Sequence, residues 1–103
     1  MASYLNKTHT ILLVSESRSS SSYQMFNKTT TALERVIKLY EQKLKEMNPQ
    51  ASNITYDISN LNEFIDSLYD ITLMVLDERA GLYEGLSKAD VKKCILAFLK
   101  NQA

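Results

Sequence analysis

Hydrophobic residues along the chain follow two spacings, and these divide it into strands and helices. Residues 9–15, built around the apolar run of residues 11–14, and residues 71–76, which are apolar except for Thr72, predict two strands. Residues 82–86 form another short run after a polar group and a glycine, so it is predicted to pair with the strand before it as a hairpin. A weaker strand is predicted at residues 23–26, because aromatic residues suit a pleated sheet, and the serine-rich residues 16–22 are interpreted as a flexible connection.

Three other segments repeat apolar residues every three or four positions, which is typical of amphipathic helices. The first is the longest and begins at the threonines of residues 29–31, whose side chains can cap a helix. It is predicted to end at Asn48-Pro49, because proline disfavours the helical conformation in the residue before it. Residues 54–58, which follow, are too short and ambiguous to assign.

Capping boxes predict where the second and third helices begin. Asn60 with Glu63, and Ser87 with Asp90, each place a capping side chain three residues before an acidic one. The order of elements is then strand, weak strand, helix, helix, strand, strand, helix. This order predicts an α+β domain in which three amphipathic helices cover one face of a four-stranded antiparallel sheet.

The length of 103 residues corresponds to one domain. Residues 1–8 are mostly polar and are predicted to form a flexible N-terminal arm, and residues 9–103 a single domain. No stretch approaches the roughly 20 apolar residues of a membrane helix, so no membrane partner is expected.

The two long strands are apolar on both faces, which is unusual for a sheet with helices on one side. Successive side chains of a strand point to opposite faces, and such sheets normally alternate apolar and polar residues. A chain of this length has nothing left to cover the second face, and large exposed apolar patches are rare in monomers. We therefore predict a homodimer formed through that face. The alternative is that the serine-rich connection or the N-terminal arm covers it, although both are polar.

The phase of each strand assigns its residues to a face. If Leu12 and Val14 face the helices, Ile11 and Leu13 face away from them. In the later strand, the more apolar phase of Ile71, Leu73 and Val75 is placed against the helices, an assignment that a one-residue register error would invert. The predicted dimer interface consists of Ile11, Leu13, Thr72, Met74 and Leu76.

The composition offers few residues of the types that enzymes use for catalysis. The chain has one Cys and one His, so it has no zinc-ligand set and no intrachain disulfide. Asp57, Asp66 and Asp70 can be imagined as a carboxylate set, but caps, turns and solvated helix positions explain them better. His9 with Cys94 is a conceivable dyad, although Cys94 lies on the apolar stripe of the last helix. No catalytic residue, cofactor or metal is predicted, and the chain is not expected to be an enzyme.

Direct RNA binding is the alternative function. The formal net charge is zero, with twelve basic and twelve acidic side chains, which disfavours binding that depends on phosphate neutralisation. An RNA-binding sheet presents stacking aromatic residues with basic residues nearby. Here the first and third strands carry aliphatic residues, and Tyr23, Tyr56 and Tyr83 lie elsewhere. The lysines of the last helix are interpreted as its solvated face: Lys88, Lys92, Lys93 and Lys100.

One segment resembles the signature of a known family. It reads Tyr-Asp-Ile-Ser at residues 56–59, then Leu61, then Phe-Ile-Asp at residues 64–66. Residues 9–14 and the Met-Asn-Pro of residues 47–49 agree in order and spacing. Over nearly its whole length, the chain is similar to the enhancer of rudimentary homologue family.

This resemblance implies a function as well as a fold. It implies a four-stranded sheet with three helices on one face, and dimerisation through the other face at Ile11 and Leu13. It also implies a small nuclear adaptor without catalytic residues or cofactors, with an additional cytoplasmic location left open. Its expected partners are segments of transcription, splicing and RNA-processing proteins, with links to cell-cycle control and pyrimidine metabolism.

Overall fold

Seven elements make up the fold, in the order that the sequence predicts. The computed structural model describes residues 7–47, 49–50 and 58–102. The elements are β1 (Thr8–Ser17), β2 (Ser20–Lys28), α1 (Thr29–Met47), α2 (Ile58–Ser67), β3 (Asp70–Asp77), β4 (Leu82–Leu86) and α3 (Lys88–Gln102). None of the helices in these ranges is long and apolar enough to cross a membrane.

The four strands form one antiparallel sheet in the order β2-β1-β3-β4. The two long apolar strands β1 and β3 therefore lie side by side at the centre, and β2 and β4 form the edges. The predicted α+β class and the four-stranded antiparallel sheet are confirmed.

The core lies between the sheet and the helices. Helix α1 packs against β1 and β2, α3 packs against β3 and β4, and α2 contacts both of these helices. The strand residues in this core are Leu12, Val14, Ile71, Leu73, Val75 and Leu86. Because the core belongs to one phase of β1 and β3, the predicted assignment of residues to the two faces is confirmed.

The prediction of a flexible connection at residues 16–22 was wrong. Strand β1 continues to Ser17, the turn needs only Arg18 and Ser19, and β2 already begins at Ser20. The backbone amides of these serines pair with β1 although their side chains have little strand preference. Their side chains are exposed on an edge strand, so they need no apolar character.

The start of α3 was predicted correctly, and the start of α2 was predicted two residues too late. Helix α2 begins at Ile58, two residues before the predicted cap at Asn60. Ile58 packs against the core, and this burial favours an earlier first turn. The capping box of α3 is confirmed, because the Asp90 amide donates to Ser87 Oγ (3.4 Å) and the Ser87 amide donates to Asp90 Oδ2 (3.4 Å).

Two predictions fall partly outside the described residues. Of the predicted arm, residues 1–6 lie outside them, whereas Thr8 belongs to β1. Residues 54–57 also lie outside, as does Asn48 at the predicted end of the first helix, which in the structure ends at Met47.

Candidate protein-interaction face

The sheet face turned away from the helices carries apolar side chains on all of its strands. Residues directly opposite one another in a ladder point to the same side of a sheet. Ile11 lies opposite Met25 of β2 and opposite Met74 of β3, and Met74 lies opposite Gly85 of β4. These four residues form one row across the sheet, which we call the Ile11 row.

Two further rows flank the Ile11 row. On one side, Leu13 lies between Tyr23 and Thr72. On the other side, Leu76 lies opposite Tyr83. We define the outer face by these three rows: Ile11, Leu13, Tyr23, Met25, Thr72, Met74, Leu76, Tyr83 and Gly85.

The exposure of these side chains depends on their position across the sheet. On the central strands Ile11, Leu13 and Met74 are half-buried, because neighbours on both sides cover part of each side chain. On the edge strands Met25 is 70% exposed and Tyr23 69% exposed. None of these residues belongs to the core cluster or to the residues packed against it. Among the residues that the structure describes, the outer face of the chain is therefore an apolar surface that no core residue covers.

A polar row bounds the outer face at one end. Ser15 lies opposite Ser21 of β2 and opposite Asp70 of β3. The Asp70 carboxylate accepts a hydrogen bond from the Ile71 amide (2.9 Å), which orients it at the start of its strand. An apolar centre with a polar boundary is the usual composition of a protein interface.

All five residues predicted for the interface lie together on the outer face. Ile11 and Leu13 of β1 lie directly opposite Met74 and Thr72 of β3, and Leu76 continues the same phase of β3. The structure thus brings these residues into one patch, and their role at an interface stays a prediction.

Sequence reasoning missed the contribution of the edge strands. Tyr23 and Met25 alternate with Gln24, and this pattern places them on one face, but β2 was recognised only as a weak strand. Tyr83 was correctly predicted to lie outside the first and third strands, because it belongs to β4. The pairing of β4 with β3 nevertheless places it on the same outer face, opposite Leu76. The β-ladder register, which the sequence does not specify, was needed to join the four strands.

A cleft opens on the opposite, helix-covered side of the sheet. It has a volume of about 470 Å³ and lies between α1, the end of β1 and the end of α2. Its apolar lining includes Leu39 and Phe64, and its polar lining includes Arg35 and Glu46. Arg35 Nε also donates to Gln24 Oε1 (3.2 Å), which ties α1 to the edge strand.

The candidate catalytic carboxylates have structural partners. Asp66 forms an ion pair with Lys92, which links α2 to α3, and Asp70 accepts from the Ile71 amide. Asp57 lies outside the described residues. Within the described ranges, no three His, Cys, Asp or Glu side chains are placed to hold a metal ion.

The conceivable dyad of His9 and Cys94 is not supported by the surroundings of either residue. His9 is exposed on β1, whereas Cys94 is completely buried in the core on α3. Burial raises the pKa of the Cys94 thiol, because desolvation disfavours the thiolate. A nucleophilic cysteine needs the opposite shift of its pKa, so Cys94 is best explained as a small core residue.

Comparison with known proteins places the chain in a family. The family model described as Enhancer of rudimentary matches residues 6–103. A protein of Echinococcus multilocularis named Enhancer of rudimentary homolog is 43% identical over 102 residues, which cover 93% of this chain and 97% of the relative. Proteins of the same name from Caenorhabditis elegans and Arabidopsis thaliana are 42% and 35% identical, over 92% and 100% of this chain and 94% and 96% of those relatives. The chain belongs to the enhancer of rudimentary family.

Proposed function

We propose that the chain acts as a homodimeric adaptor that binds segments of other proteins. The observation that carries the proposal is the outer face, an apolar surface in register across all four strands on which none of the helices of the described ranges packs. A second copy of the same surface is complementary to it in character and covers it without any additional chain.

The energetics favour a stable dimer. Full burial of one large apolar side chain is worth roughly 1.5–3 kcal/mol relative to full exposure. The central residues gain less than this, because they are already half-buried, but Met25 and Tyr23 on the edge start mostly exposed. Association costs roughly 4–15 kcal/mol in lost translational and rotational freedom. Both copies contribute the same apolar side chains, so their summed burial opposes this cost twice over.

Dimerisation through the outer face leaves the cleft free. The cleft lies between helices α1 and α2 on the other side of the sheet, so each subunit of the dimer still offers one. The cleft is lined mainly by polar and charged groups, with a smaller apolar part at Leu39 and Phe64, so it suits an extended polar partner segment that contributes one apolar side chain. Two equivalent clefts on one dimer would allow it to hold two partner chains and to raise avidity through effective concentration.

The proposed biological setting is suggested by the resemblance to the family, and the geometry does not bear on it. We propose a nuclear role in transcription and RNA processing, with links to cell-cycle control and pyrimidine metabolism. The partners would be segments of proteins in these processes.

Replacing Leu13 by Arg tests the proposed interface. Leu13 is half-buried on the central strand β1, where it lies on the outer face between Tyr23 and Thr72. In a face-to-face dimer, the Leu13→Arg change would bury an unpaired charge at a strongly unfavourable cost. We expect the variant to sediment as a monomer, or to aggregate through its remaining apolar surface, at concentrations where the unmodified chain is a dimer.

Leu96→Arg is the matched control. Leu96 is 40% exposed on α3, on the helix side of the sheet, so the same change adds the same charge away from the outer face. This control should remain a dimer. An unchanged dimer for Leu13→Arg, with both variants folded by circular dichroism, would refute the outer face as the interface.

RNA binding remains the alternative, and one observation favours it. Tyr23 and Tyr83 both lie on the outer face, where aromatic rings could stack on bases. The three rows of that face contain no Lys or Arg to neutralise phosphates, which argues against this function. Salt-dependent binding of single-stranded RNA, lost on changing Tyr23 to Ala, would favour the alternative over the adaptor.

A further inference from the structure

Gly85 occupies a position where the isolated subunit does not require a glycine. The chain has two glycines. Gly81 has a φ of 68° in the turn before β4, a conformation that side chains rarely adopt. Gly85 lies within β4 without a positive φ, and a Cβ atom added there would meet no atom within 4 Å. Glycine inside a strand weakens it and often marks a close approach by another group.

The Ile11 row is uneven in height, and Gly85 is its low end. Met25 projects from the β2 edge and is 70% exposed, whereas Gly85 has no side chain at the β4 edge. Ile11 and Met74, both half-buried, lie between them. The row thus presents a raised edge and a depression about three strand spacings, roughly 14 Å, apart.

The direction of the two-fold axis decides what meets the depression. An axis parallel to the strands places β2 of each subunit over β4 of the other and keeps each residue in its row. An axis perpendicular to the strands places β2 over β2 and β4 over β4. The first arrangement sets a projecting side chain over the glycine, and the second sets two raised edges together and leaves a gap at β4.

We propose that Gly85 receives Met25 of the partner subunit, across a two-fold axis that runs parallel to the strands. This inference rests on the proposed homodimer. Methionine suits such a contact, because its unbranched thioether side chain adapts to irregular gaps. An unfilled gap at an interface would instead forfeit the contacts of the atoms that line it.

The other projecting side chain of β2 is compatible with the same axis. Tyr23 lies in the row of Leu13 and Thr72, and β4 ends at Leu86, before it reaches that row. Tyr23 of each subunit therefore meets no β4 side chain of the partner subunit in this arrangement.

Chemical cross-linking tests the direction of the axis. Facing sheets lie about 10 Å apart, so a thiol cross-linker with a short spacer is needed to join cysteines on them. We expect a mixture of the Met25→Cys and Gly85→Cys chains to give cross-linked dimers, while neither variant cross-links when it is alone. The unsubstituted chain controls for Cys94, which is buried in the core. Efficient cross-linking of either variant with itself would overturn the proposed axis.

A larger side chain at Gly85 tests the contact itself. In the Gly85→Val variant the new side chain projects into open space within the subunit, and valine is well suited to a strand. The thermal stability of the fold at high dilution should therefore stay the same or rise. The change should nevertheless raise the Kd of the dimer at least tenfold, because it fills the place of Met25 of the partner subunit. Adding Met25→Ala to Gly85→Val should recover part of the lost affinity.

The control is Leu82→Val on the same strand, which should leave the Kd unchanged because Leu82 lies on the other face, opposite Asp77. A Kd for Gly85→Val equal to that of the unsubstituted dimer would overturn the contact but not the proposed dimer. An unsubstituted chain that is monomeric throughout would overturn both.

Discussion

At the scale of single residues, a buried polar contact joins β1 to α1. Thr10 of β1 is 1% exposed and Thr29, the first residue of α1, is completely buried. Their hydroxyl oxygens lie 2.7 Å apart, and Thr29 Oγ1 also donates to the Lys7 carbonyl (3.4 Å). The Thr29 amide donates to the same carbonyl (3.2 Å), so the pair fixes the start of α1 against the start of β1.

Replacing Thr29 by Val tests this contact. The change preserves the shape of the side chain but leaves the Thr10 hydroxyl buried without its partner. We expect the free energy of unfolding to fall by about 1–3 kcal/mol, measured by urea denaturation. The double variant Thr10→Val/Thr29→Val removes both hydroxyls and should lose less than the sum of the two single changes. Strictly additive losses would show that the two hydroxyls do not interact.

The residues of the outer face illustrate what a sequence can predict at this scale. Ile11 and Leu13, with the alternate residues of β3, follow from strand alternation once the more apolar phase is turned inward. Gly85 and Met25 could not be related in this way, because only the β-ladder register places them in one row. The sequence also does not distinguish Gly85, which lies within a strand, from Gly81, which a turn requires. Only the φ angles of the structure separate the two.

At the scale of elements, strong local sequence motifs such as a capping box predicted correctly where an element begins. Helix α3 begins where Ser87 and Asp90 predict it, because a capping box satisfies amides that no preceding turn can pair. The hairpin of β1 and β2 was not predicted in full, since its serines carry no strand preference and the pairing with β1 decides their conformation. The early start of α2 likewise depends on a tertiary contact of Ile58.

Removing the cap of α3 should destabilise the domain modestly. In the Ser87→Ala variant the Asp90 amide loses its acceptor, Ser87 Oγ. We expect a loss of about 0.5–2 kcal/mol in unfolding free energy, visible as a lower thermal midpoint. Ser87→Asn, which retains a capping oxygen, should restore most of the stability. If Ser87→Ala and Ser87→Asn have equal midpoints, the cap does not contribute to stability.

At the scale of the whole molecule, the helices of the described ranges all pack on one side of the sheet. The three helices share one core with the inner phases of β1 and β3, and the outer phases of the same strands also carry apolar residues, Ile11 and Leu13 on β1 and Met74 and Leu76 on β3. The sequence was sufficient to predict an apolar outer face. Strands β1 and β3 carry apolar residues in both phases, whereas a sheet with one covered face normally alternates apolar and polar residues. Pairing with a second copy, as proposed above, would cover the exposed face without any additional chain.

The solution mass of the unmodified chain tests this account most directly. Sedimentation equilibrium across a dilution series, from high to low micromolar, should give a mass near twice that of the 11.8 kDa chain throughout. That result is expected if two outer faces cover each other. A mass of one chain at every concentration would contradict the account, because the outer face would then be stable in water without a second copy.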